Sequence, residues 1–517
     1  MLANLRSGPL SGWRQLLTLQ TLIGYPSPIT NSNGKLRETA WLDGLRGLAA
    51  FLVMIYHFNI TFWNTFYVEA PFGSITIPDE KLGLPGGWQL WDFWRLPFLR
   101  LWMCSGHAQV SVFFVLSGIV LSWGPLGNIQ AGRGEKVLES LGSATFRRWV
   151  RLYVPCFVIA GWEVCEMWVG WRDMGVVGRR GSFLAQFWDY LQANERFANP
   201  FLINRDAMNA NHGYDWTMWT IPYEFSGSML VFVVLLAVSR IREYGRRTMV
   251  LGGVVIYACL RAEWNFWLFA TGMLIANYVR HAGGFEELTR NTSKRLHVTC
   301  IVMLIVGMLL AGMPSHSQFY TRPGYEWLRS IIPSNWLEIE GGTRFWWCWS
   351  GILFIFGACH VTGIRQFFEF SFMRYLGRVS YMLYLTHRIV LNVAGSTLRS
   401  VVYSFIGRKD VIDDNAEDGT ILHPLFTFMG YIVLLSALIP MCLIVAHWTE
   451  MGIDKPSTKL ARRIDDWFIG SPSREVVHQG ENGSLLPSHT DATTQAAADI
   501  ELLHTTNSDT VAPTSAR

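Results

Sequence analysis

The sequence contains few charged residues. Asp, Glu, Lys and Arg together make up 16% of its 517 residues, whereas soluble domains average about 25%. The charges that are present collect between long apolar windows, such as 220–239, 296–313 and 424–447, which contain almost none. This distribution excludes an ordinary soluble domain and is typical of membrane spans joined by polar loops.

Paired cysteines and a basic binding face are also missing. The eight cysteines include no CxxC pair and fall mostly inside apolar windows, so neither a disulfide framework nor a metal site is expected. The net charge is only +4, and the basic residues adjoin apolar windows instead of forming a basic face with interleaved aromatics. A nucleic-acid partner is therefore excluded.

The apolar windows predict an all-α fold, a polytopic membrane helix bundle of about ten transmembrane helices. Windows of roughly 16 to 24 residues can cross about 30 Å of hydrocarbon. The ten candidates centre on 47–63, 108–124, 152–171, 220–239, 248–260, 264–280, 296–313, 345–362, 374–397 and 424–447. The fifth and sixth windows meet at Arg261 and Glu263, so they could also form one interrupted element, which would change the topology.

The basic residues predict an orientation. They precede the first window and follow the second, fourth and sixth, which places them on one side of the membrane: Lys35, Arg37, Arg133, Lys136, Arg147, Arg148, Arg151, Arg240, Arg242, Arg246, Arg247, Arg280, Arg290, Lys294 and Arg295. Positively charged short loops stay in the cytosol, so both termini are predicted to be cytosolic. Arginines in the third loop oppose this assignment, but long loops follow the rule poorly. The endoplasmic reticulum is the default membrane.

The ends of the chain differ from its apolar middle. Residues 1–40 are polar and lack the basic and apolar regions of a cleaved signal peptide. Residues 470–517 are rich in Ser, Thr, Ala, Gly and Asn and cannot bury enough apolar surface to fold alone. We predict a cytosolic N-terminal segment over 1–40, a transmembrane domain over 41–465 and a disordered cytosolic tail over 466–517.

The first window contains the most informative polar pair. Arg46 and His57 are eleven residues apart, which is close to three helical turns, so they share one helix face at a separation of about 16 Å. Arg46 would lie at the cytosolic mouth and His57 inside the membrane. This spacing suits a long ligand with an anionic head and a buried reactive end. An interfacial arginine and a hydrogen-bonded core histidine explain the pair alone equally well.

The fourth and ninth windows add further polar side chains. Glu224 lies a short way into the fourth window, where it could fix the tautomer of His57; pairing with a structural arginine is the alternative. In the ninth window Ser380, Tyr384 and His387 are spaced i, i+4, i+7 and form one polar stripe. Such a stripe can also join helices by hydrogen bonds.

A basic segment follows the second window. Arg147 and Arg151 are spaced i, i+4 on one helical face, and guanidinium groups there could bind phosphates in a bidentate manner. Membrane anchoring explains these arginines equally well, and only together with Arg46 is phosphate binding the better interpretation. Ser117 lacks the flanking glycine of a GxSxG nucleophile elbow and is not proposed as a nucleophile.

At these residues the sequence resembles the acyltransferase 3 family of membrane proteins, which acylate sugars, polymers and small metabolites. Seven pieces in the family's order carry the resemblance: Leu42 to Gly47 with His57, Val112 to Gly118, Arg147 to Pro155, Trp219 to Glu224, Phe269 to Gly272 with Ala276, Leu376 to His387, and Asp454 to Pro456. The Arg-x10-His pair is the family's functional signature, and Glu224 occupies the acidic position of its fourth-span motif. The sequence from Trp219 to Glu224 is most similar to that of fungal members.

The resemblance implies an acyl-CoA co-substrate, often acetyl-CoA, no tightly bound cofactor, and a hydroxylated acceptor that in fungal relatives is a secondary metabolite. We therefore predict a membrane-embedded O-acyltransferase. In this hypothesis the phosphates of acyl-CoA bind Arg46, Arg147 and Arg151. His57 acts as general base on the acceptor hydroxyl, and Glu224 orients it.

Tyr384 and His387 would contact the acceptor or the oxyanion. The alternative from another class is a proton-coupled transporter or flippase, in which His57, Glu224 and His387 form a relay. A transporter would move its substrate without consuming acyl-CoA, whereas the enzyme would release free CoA. A non-catalytic scaffold is a third reading, but it gives no reason for Arg46 and His57 to share a face.

Overall fold

The computed structural model of the protein describes residues 19–25, 36–62, 68–74, 90–171, 177–200, 211–315, 323–405 and 424–469. Every element in these ranges is helical, which confirms the predicted all-α fold. The principal helices are α1 (Ala40–Phe62), α2 (Gly106–Gln130), α3 (Gly134–Val169), α4 (Phe183–Ala198), α5 (Thr220–Val238), α6 (Tyr244–Leu260), α7 (Trp264–His281), α8 (Lys294–Ala311), α9 (Thr343–His360), α10 (Thr362–Phe368), α11 (Ser371–Val390), α12 (Pro424–Thr449) and α13 (Lys455–Ile469).

Shorter helical segments lie between these helices. They are Leu19–Leu22, Leu90–Arg95, Leu101–Cys104, Trp216–Trp219, Phe285–Arg290, Glu326–Arg329, Ser334–Trp336, Glu340–Gly342, Leu391–Gly395, Ser396–Phe405 and Glu450–Asp454. Trp216–Trp219 is a 3-10 turn that leads directly into α5. This turn lies near the candidate site described below.

Each of the ten predicted windows coincides with a helix, but their number as membrane spans is not confirmed. Within the described ranges, six helical stretches are long and apolar enough to cross a membrane, or seven if α9 and α10, bent by 105° at their junction, form one broken span. The fifth and sixth windows are separate helices, α6 and α7. The chain turns between them at Ala262, whose φ of 58° is positive.

The helices α7 and α11 fall outside this apolar set because other helices surround them. In α7, thirteen of eighteen residues are buried against neighbouring elements, and α11 packs between α1 and α12. A helix that contacts mainly protein does not need an apolar surface for lipid, since its polar groups can be satisfied by its neighbours. Hydropathy alone therefore undercounts the helices of this bundle.

The centre of the site-bearing region is the contact between α1 and α11. Glycines allow the two backbones to approach, because a Cβ added at Gly47 would overlap the backbone of Gly377. The helices run parallel: Arg46 contacts Gly377, and further along both helices His57 contacts His387. This packing aligns the polar face of α1 with the polar stripe of α11.

Helix α2 runs antiparallel to α1. Its first residue, Gly106, faces Tyr56, whereas Trp123 near its other end stacks on Phe285, which also contacts Trp41. We call the end of the bundle at which α1 begins the proximal end and the end at which α1 finishes the distal end. Arg46 is then near the proximal end and His57 nearer the distal end.

Two terminal segments pack on the proximal end. Near the N-terminus, the carbonyl of Gly24 accepts a hydrogen bond from Arg378 Nη2 at 3.0 Å. Near the C-terminus, α13 packs along α3, where Asp465 accepts a hydrogen bond from Ser143. The predicted domain boundary at 465 falls inside α13, which continues to Ile469. The predicted tail beyond this helix lies outside the described residues.

The Gly47 contact leads to a prediction about stability. Gly47→Ala should lower the midpoint of thermal unfolding in detergent, because an added methyl group forces α1 away from α11 at a cost of about 1–3 kcal/mol. Gly252→Ala in α6 is the matched control, since its added Cβ would meet no atom within 4 Å. Equal midpoints for the two variants would show that α1 and α11 do not pack as described.

Candidate active site

Two histidines from neighbouring helices meet at the centre of the candidate site. His57 of α1 and His387 of α11 approach with 3.0 Å between His57 Nδ1 and His387 Nε2, and their ring centroids are 4.9 Å apart. His387 is fully buried, whereas His57 remains partly exposed. The parallel packing of α1 on α11 therefore brings together two residues that the sequence singled out separately.

The hydrogen bonds of this pair determine which nitrogen is free. His387 Nδ1 lies 3.0 Å from the carbonyl of Leu383 and must donate to it, so in neutral His387 the Nε2 atom is an acceptor. His57 Nδ1 then carries the proton, which it shares between His387 and the carbonyl of Val53 at 2.9 Å. The lone pair of His57 is consequently on Nε2, which has no hydrogen-bond partner among the described residues.

A buried carboxylate lies near His387. Asp215 is fully buried, interacts electrostatically with His387, and lies 3.6 Å from Arg388 Nη1. It also caps the Trp216–Trp219 turn by accepting a hydrogen bond from the Thr217 amide at 2.8 Å. Asp215 is therefore the acidic group associated with the histidine pair, a role that the sequence hypothesis gave to Glu224.

Glu224 is paired with an arginine instead of a histidine. Its carboxylate accepts hydrogen bonds from Arg148 and, at 2.7 Å, from Ser117 Oγ. Arg148 Nε also donates to Ser228 Oγ at 3.0 Å. This ion pair joins α2, α3 and α5 inside the bundle, with each charged side chain only 15% exposed. The alternative of a structural arginine partner is thus the one that the geometry favours.

The predicted phosphate-binding arginines do not form one cluster. Arg46 is held against α11 by hydrogen bonds to Ser380 Oγ at 3.2 Å and the Gly377 carbonyl at 3.3 Å, and it contacts Asp43 Oδ1 at 3.0 Å. Arg147 points towards α13, with 3.5 Å between its Nε and Asp465 Oδ2. Arg46 therefore faces α11, whereas Arg147 faces the C-terminal helix α13.

Arg151 lies closer to the interior than Arg147. It interacts electrostatically with Arg148 and with Tyr381 of α11, and its side chain is partly exposed. Of the two arginines chosen from their i, i+4 spacing, Arg151 is the one that the structure places beside α11. Arg148, which is 15% exposed against 40% for Arg147, lies between them in sequence and was not selected.

The hydroxyl of Tyr384 is committed to the turn before α5. It donates a hydrogen bond to the Thr217 carbonyl and accepts one from Thr220 Oγ1, both at 2.7 Å. His387, the other residue expected to contact the acceptor, uses both ring nitrogens within the protein. The polar atoms of both side chains therefore make hydrogen bonds within the protein, and His387 supports His57 directly.

A further histidine close to this region is buried. His212 precedes the Trp216–Trp219 turn, is 1% exposed and lies 2.8 Å from Asn194 Oδ1 through its Nε2 atom. Burial lowers the pKa of His212 to about 4, so the ring stays neutral near neutral pH. We assign His212 a structural role at the junction of α4 and α5.

Residues 39–447 match the acyltransferase 3 family, which is described as an acyltransferase domain. The protein belongs to this family. The match includes both members of the Arg-x10-His pair and the helices that surround them. The acyltransferase 3 assignment makes the chain an acyltransferase and identifies its helix bundle as that of a membrane enzyme.

Curated relatives of this acyltransferase 3 protein come from fungi. O-acetyltransferase PaAT-1 of Phomopsis amygdali is 30% identical over 403 residues, which cover 72% of this chain and 76% of the relative. Acyltransferase R4 of a Phoma species is 22% identical across 83% of this chain and 96% of its own length. Acyltransferase clz18 of Cochliobolus lunatus is 23% identical across 74% of this chain and 88% of its own length. No solved structure matches the chain.

Sequence reasoning passed over Arg148 and Asp215. The helical period groups residues by face but does not say which face of a helix points inward, so it selected the neighbours of Arg148. The sequence did contain a signal for Asp215, because aspartate is a typical N-cap residue directly before a helical segment. Its burial beside His387 depends on long-range packing that the sequence does not reveal.

Proposed function

We propose that the protein acetylates the hydroxyl group of a small metabolite with acetyl-CoA as donor, in an endomembrane such as the endoplasmic reticulum and within secondary metabolism. The observation that carries the proposal is the geometry of His57, whose Nδ1 faces His387 and the Val53 carbonyl, while its Nε2 has no hydrogen-bond partner among the residues that the structure describes. A relative at 30% identity is named an O-acetyltransferase, which supports acetyl as the group transferred.

The chemistry requires a positioned base. An aliphatic hydroxyl is almost never ionised near neutral pH, so its attack on a thioester needs proton removal during bond formation. His57 Nε2 accepts the hydroxyl proton as the acceptor oxygen bonds to the thioester carbonyl carbon. The carbon–sulfur bond then breaks, and the imidazolium returns the proton to the leaving thiolate, which gives an ester and free CoA. Such general base catalysis contributes about 10²–10⁴-fold.

The donor is proposed to enter from the proximal end. Lys and Arg follow the helices that finish there, which predicts that this end faces the cytosol, where acetyl-CoA is made. Arg46 and Arg151 present partly exposed guanidinium groups beside α11, and guanidinium binds phosphate oxygens in a bidentate manner. A rise of about 16 Å from Arg46 to His57 matches an extended pantetheine arm.

The structure gives the transporter alternative less support. A relay through His57, His387 and Glu224 would need the carboxylate near the histidines, but Glu224 contacts Arg148 and Ser117. The pairing of His57 with a fully buried histidine instead fits a fixed base. Membership of an acyltransferase family points the same way.

Purified protein in nanodiscs provides the test. Wild-type protein given acetyl-CoA and pooled hydroxylated metabolites from its source cells should release free CoA and form an acetyl ester that mass spectrometry detects. His57→Ala should lose both. Substrate movement across proteoliposomes without any consumption of acetyl-CoA would overturn the proposal in favour of transport.

Arg46 provides a test of donor binding. Arg46→Gln should raise the KM for acetyl-CoA about 10- to 100-fold with a smaller change in kcat, because a hydrogen bond to a charged group contributes about 1.5–3 kcal/mol. Arg147→Gln should raise it less, since Arg147 faces Asp465. Arg290→Gln, at an arginine that is 71% exposed, is the control. Equal KM values for all three variants would remove Arg46 from the donor site.

A further inference from the structure

Aromatic rings surround the distal side of His57. The indole of Trp216 lies edge-on to the imidazole with 6.1 Å between ring centroids, and Tyr56 lies 5.4 Å from it on its own helix. Trp216 is 40% exposed, although it contacts a residue inside the bundle. The base is therefore flanked at this end by a partly exposed indole, which Arg388 contacts at 4.6 Å from the ring centroid.

The rings continue away from His57 as a series of contacts that is mostly buried, with Tyr56, Trp264 and Trp347 each at most 8% exposed. Tyr56 contacts His107 at 5.4 Å, and His107 stacks on Trp347 with 4.6 Å between centroids and 6° between planes. Trp219, in the same turn as Trp216, contacts Trp264 at 6.1 Å. We call Tyr56, His107, Trp216, Trp219, Trp264 and Trp347 the aromatic wall.

A buried arginine fixes three members of the aromatic wall. The guanidinium carbon of Arg344 lies 5.3 Å from the ring centroid of Trp219, 4.6 Å from that of Trp264 and 5.3 Å from that of Trp347. Arg344 is 2% exposed and pairs with Glu340. Cation–π contacts are stronger at a desolvated site than at an exposed one, so these rings are held before any ligand binds.

The two arginines that touch the aromatic wall are already paired with carboxylates. Arg344 pairs with Glu340. Arg388 lies with its guanidinium 4.6 Å from the ring centroid of Trp216 and pairs with Asp215. His107 lies 3.5 Å from Glu69. An anionic or cationic acceptor would have to break one of these pairs. The hydroxyl of Tyr56 is also engaged, because it donates to Glu69.

We infer that the acceptor is an uncharged alcohol with a largely apolar ring framework, which stacks on Trp216 and presents its hydroxyl to His57 Nε2. A polyhydroxylated sugar would leave most of its hydroxyl groups without partners against these rings, and an unpaired buried hydroxyl is costly. This inference rests on the proposed function, because His57 is taken as the base. An aromatic contact of this kind strengthens binding beyond the effect of the area that it buries.

Transfer and binding are measured with chosen probes. The full-length protein in nanodiscs receives acetyl-CoA with borneol, 2-(2-naphthyl)ethanol or methyl β-D-glucopyranoside, and the acetyl esters are quantified by mass spectrometry. Binding of tritiated 2-(2-naphthyl)ethanol is measured in parallel on wild type and His57→Ala. We expect ester from the two ring alcohols but not from the glucoside, and similar probe Kd values for wild type and His57→Ala.

Trp216 variants identify the surface responsible. Trp216→Ala should weaken probe binding about tenfold, and Trp216→Phe should retain most of it. Trp188→Ala, at a 62% exposed tryptophan on α4, is the matched control and should bind as wild type does. Preferential acetylation of the glucoside would overturn the inference and leave the proposed function intact.

Failure of the proposed function can be distinguished from failure of this inference about the acceptor. Absence of donor consumption with every acceptor would count against the proposed function, and the binding data would still decide the inference. Equal probe affinity in Trp216→Ala and Trp188→Ala would overturn it, whatever the transfer assay shows.

Discussion

Replacing either histidine of the central pair should reduce kcat, but to different extents. His57→Ala removes the atom that accepts the proton, so kcat for acetyl transfer should fall about 10²–10⁴-fold. His387→Ala leaves His57 in place with one of its two hydrogen bonds, the bond to the Val53 carbonyl at 2.9 Å. The loss of the other bond, worth about 1 kcal/mol, should reduce kcat by a factor of about five to ten.

The conservative variant separates positioning from structure. In His387→Gln the side-chain carbonyl can replace Nε2 as acceptor for His57 Nδ1, so kcat should recover towards the wild-type value. The KM for acetyl-CoA should stay unchanged in His387→Ala, because His387 is fully buried behind His57. The outcome contrary to this account is a kcat in His387→Gln as low as in His387→Ala, with equal folding of both variants.

Much of the helical framework was predictable from the sequence because membrane helices are long apolar runs. The spacing of Arg46 and His57 also predicted a shared face, and the structure places both residues against α11, next to Ser380 and His387. This part of the site depends on the helical period alone. The local sequence is therefore enough to recognise it.

Contacts between helices were not predictable in the same way. Glu224 had two possible partners, and choosing between them required knowing that α5 lies against α2 and α3 at that depth. The count of about ten membrane spans is not confirmed for a related reason, since helices enclosed by protein, such as α7, carry a weaker apolar signal than helices facing lipid. The packing order of the bundle is the information that one sequence lacks.

The buried pair of Glu224 and Arg148 leads to the second prediction with a large effect. Both side chains are 15% exposed, and removing one partner leaves an uncompensated charge inside the bundle, which costs about 3–5 kcal/mol. Glu224→Ala and Arg148→Met should each lower the midpoint of thermal unfolding strongly. The double variant should lose less stability than the sum of the two single losses, because neither charge remains.

An exposed pair provides the comparison that decides what Glu224 does. Arg246 and Glu243 lie 2.6 Å apart with side chains that are 75% and 59% exposed, so Glu243→Ala should leave the unfolding midpoint nearly unchanged. If Glu224 acts through Arg148, lost activity in Glu224→Ala should follow lost stability, and the double variant should recover part of both. If Glu224 instead orients His57, Glu224→Gln should remain as stable as wild type while kcat falls, and adding Arg148→Met should restore nothing. The geometry supports the first outcome, since Glu224 holds α2, α3 and α5 together through Ser117 and Arg148.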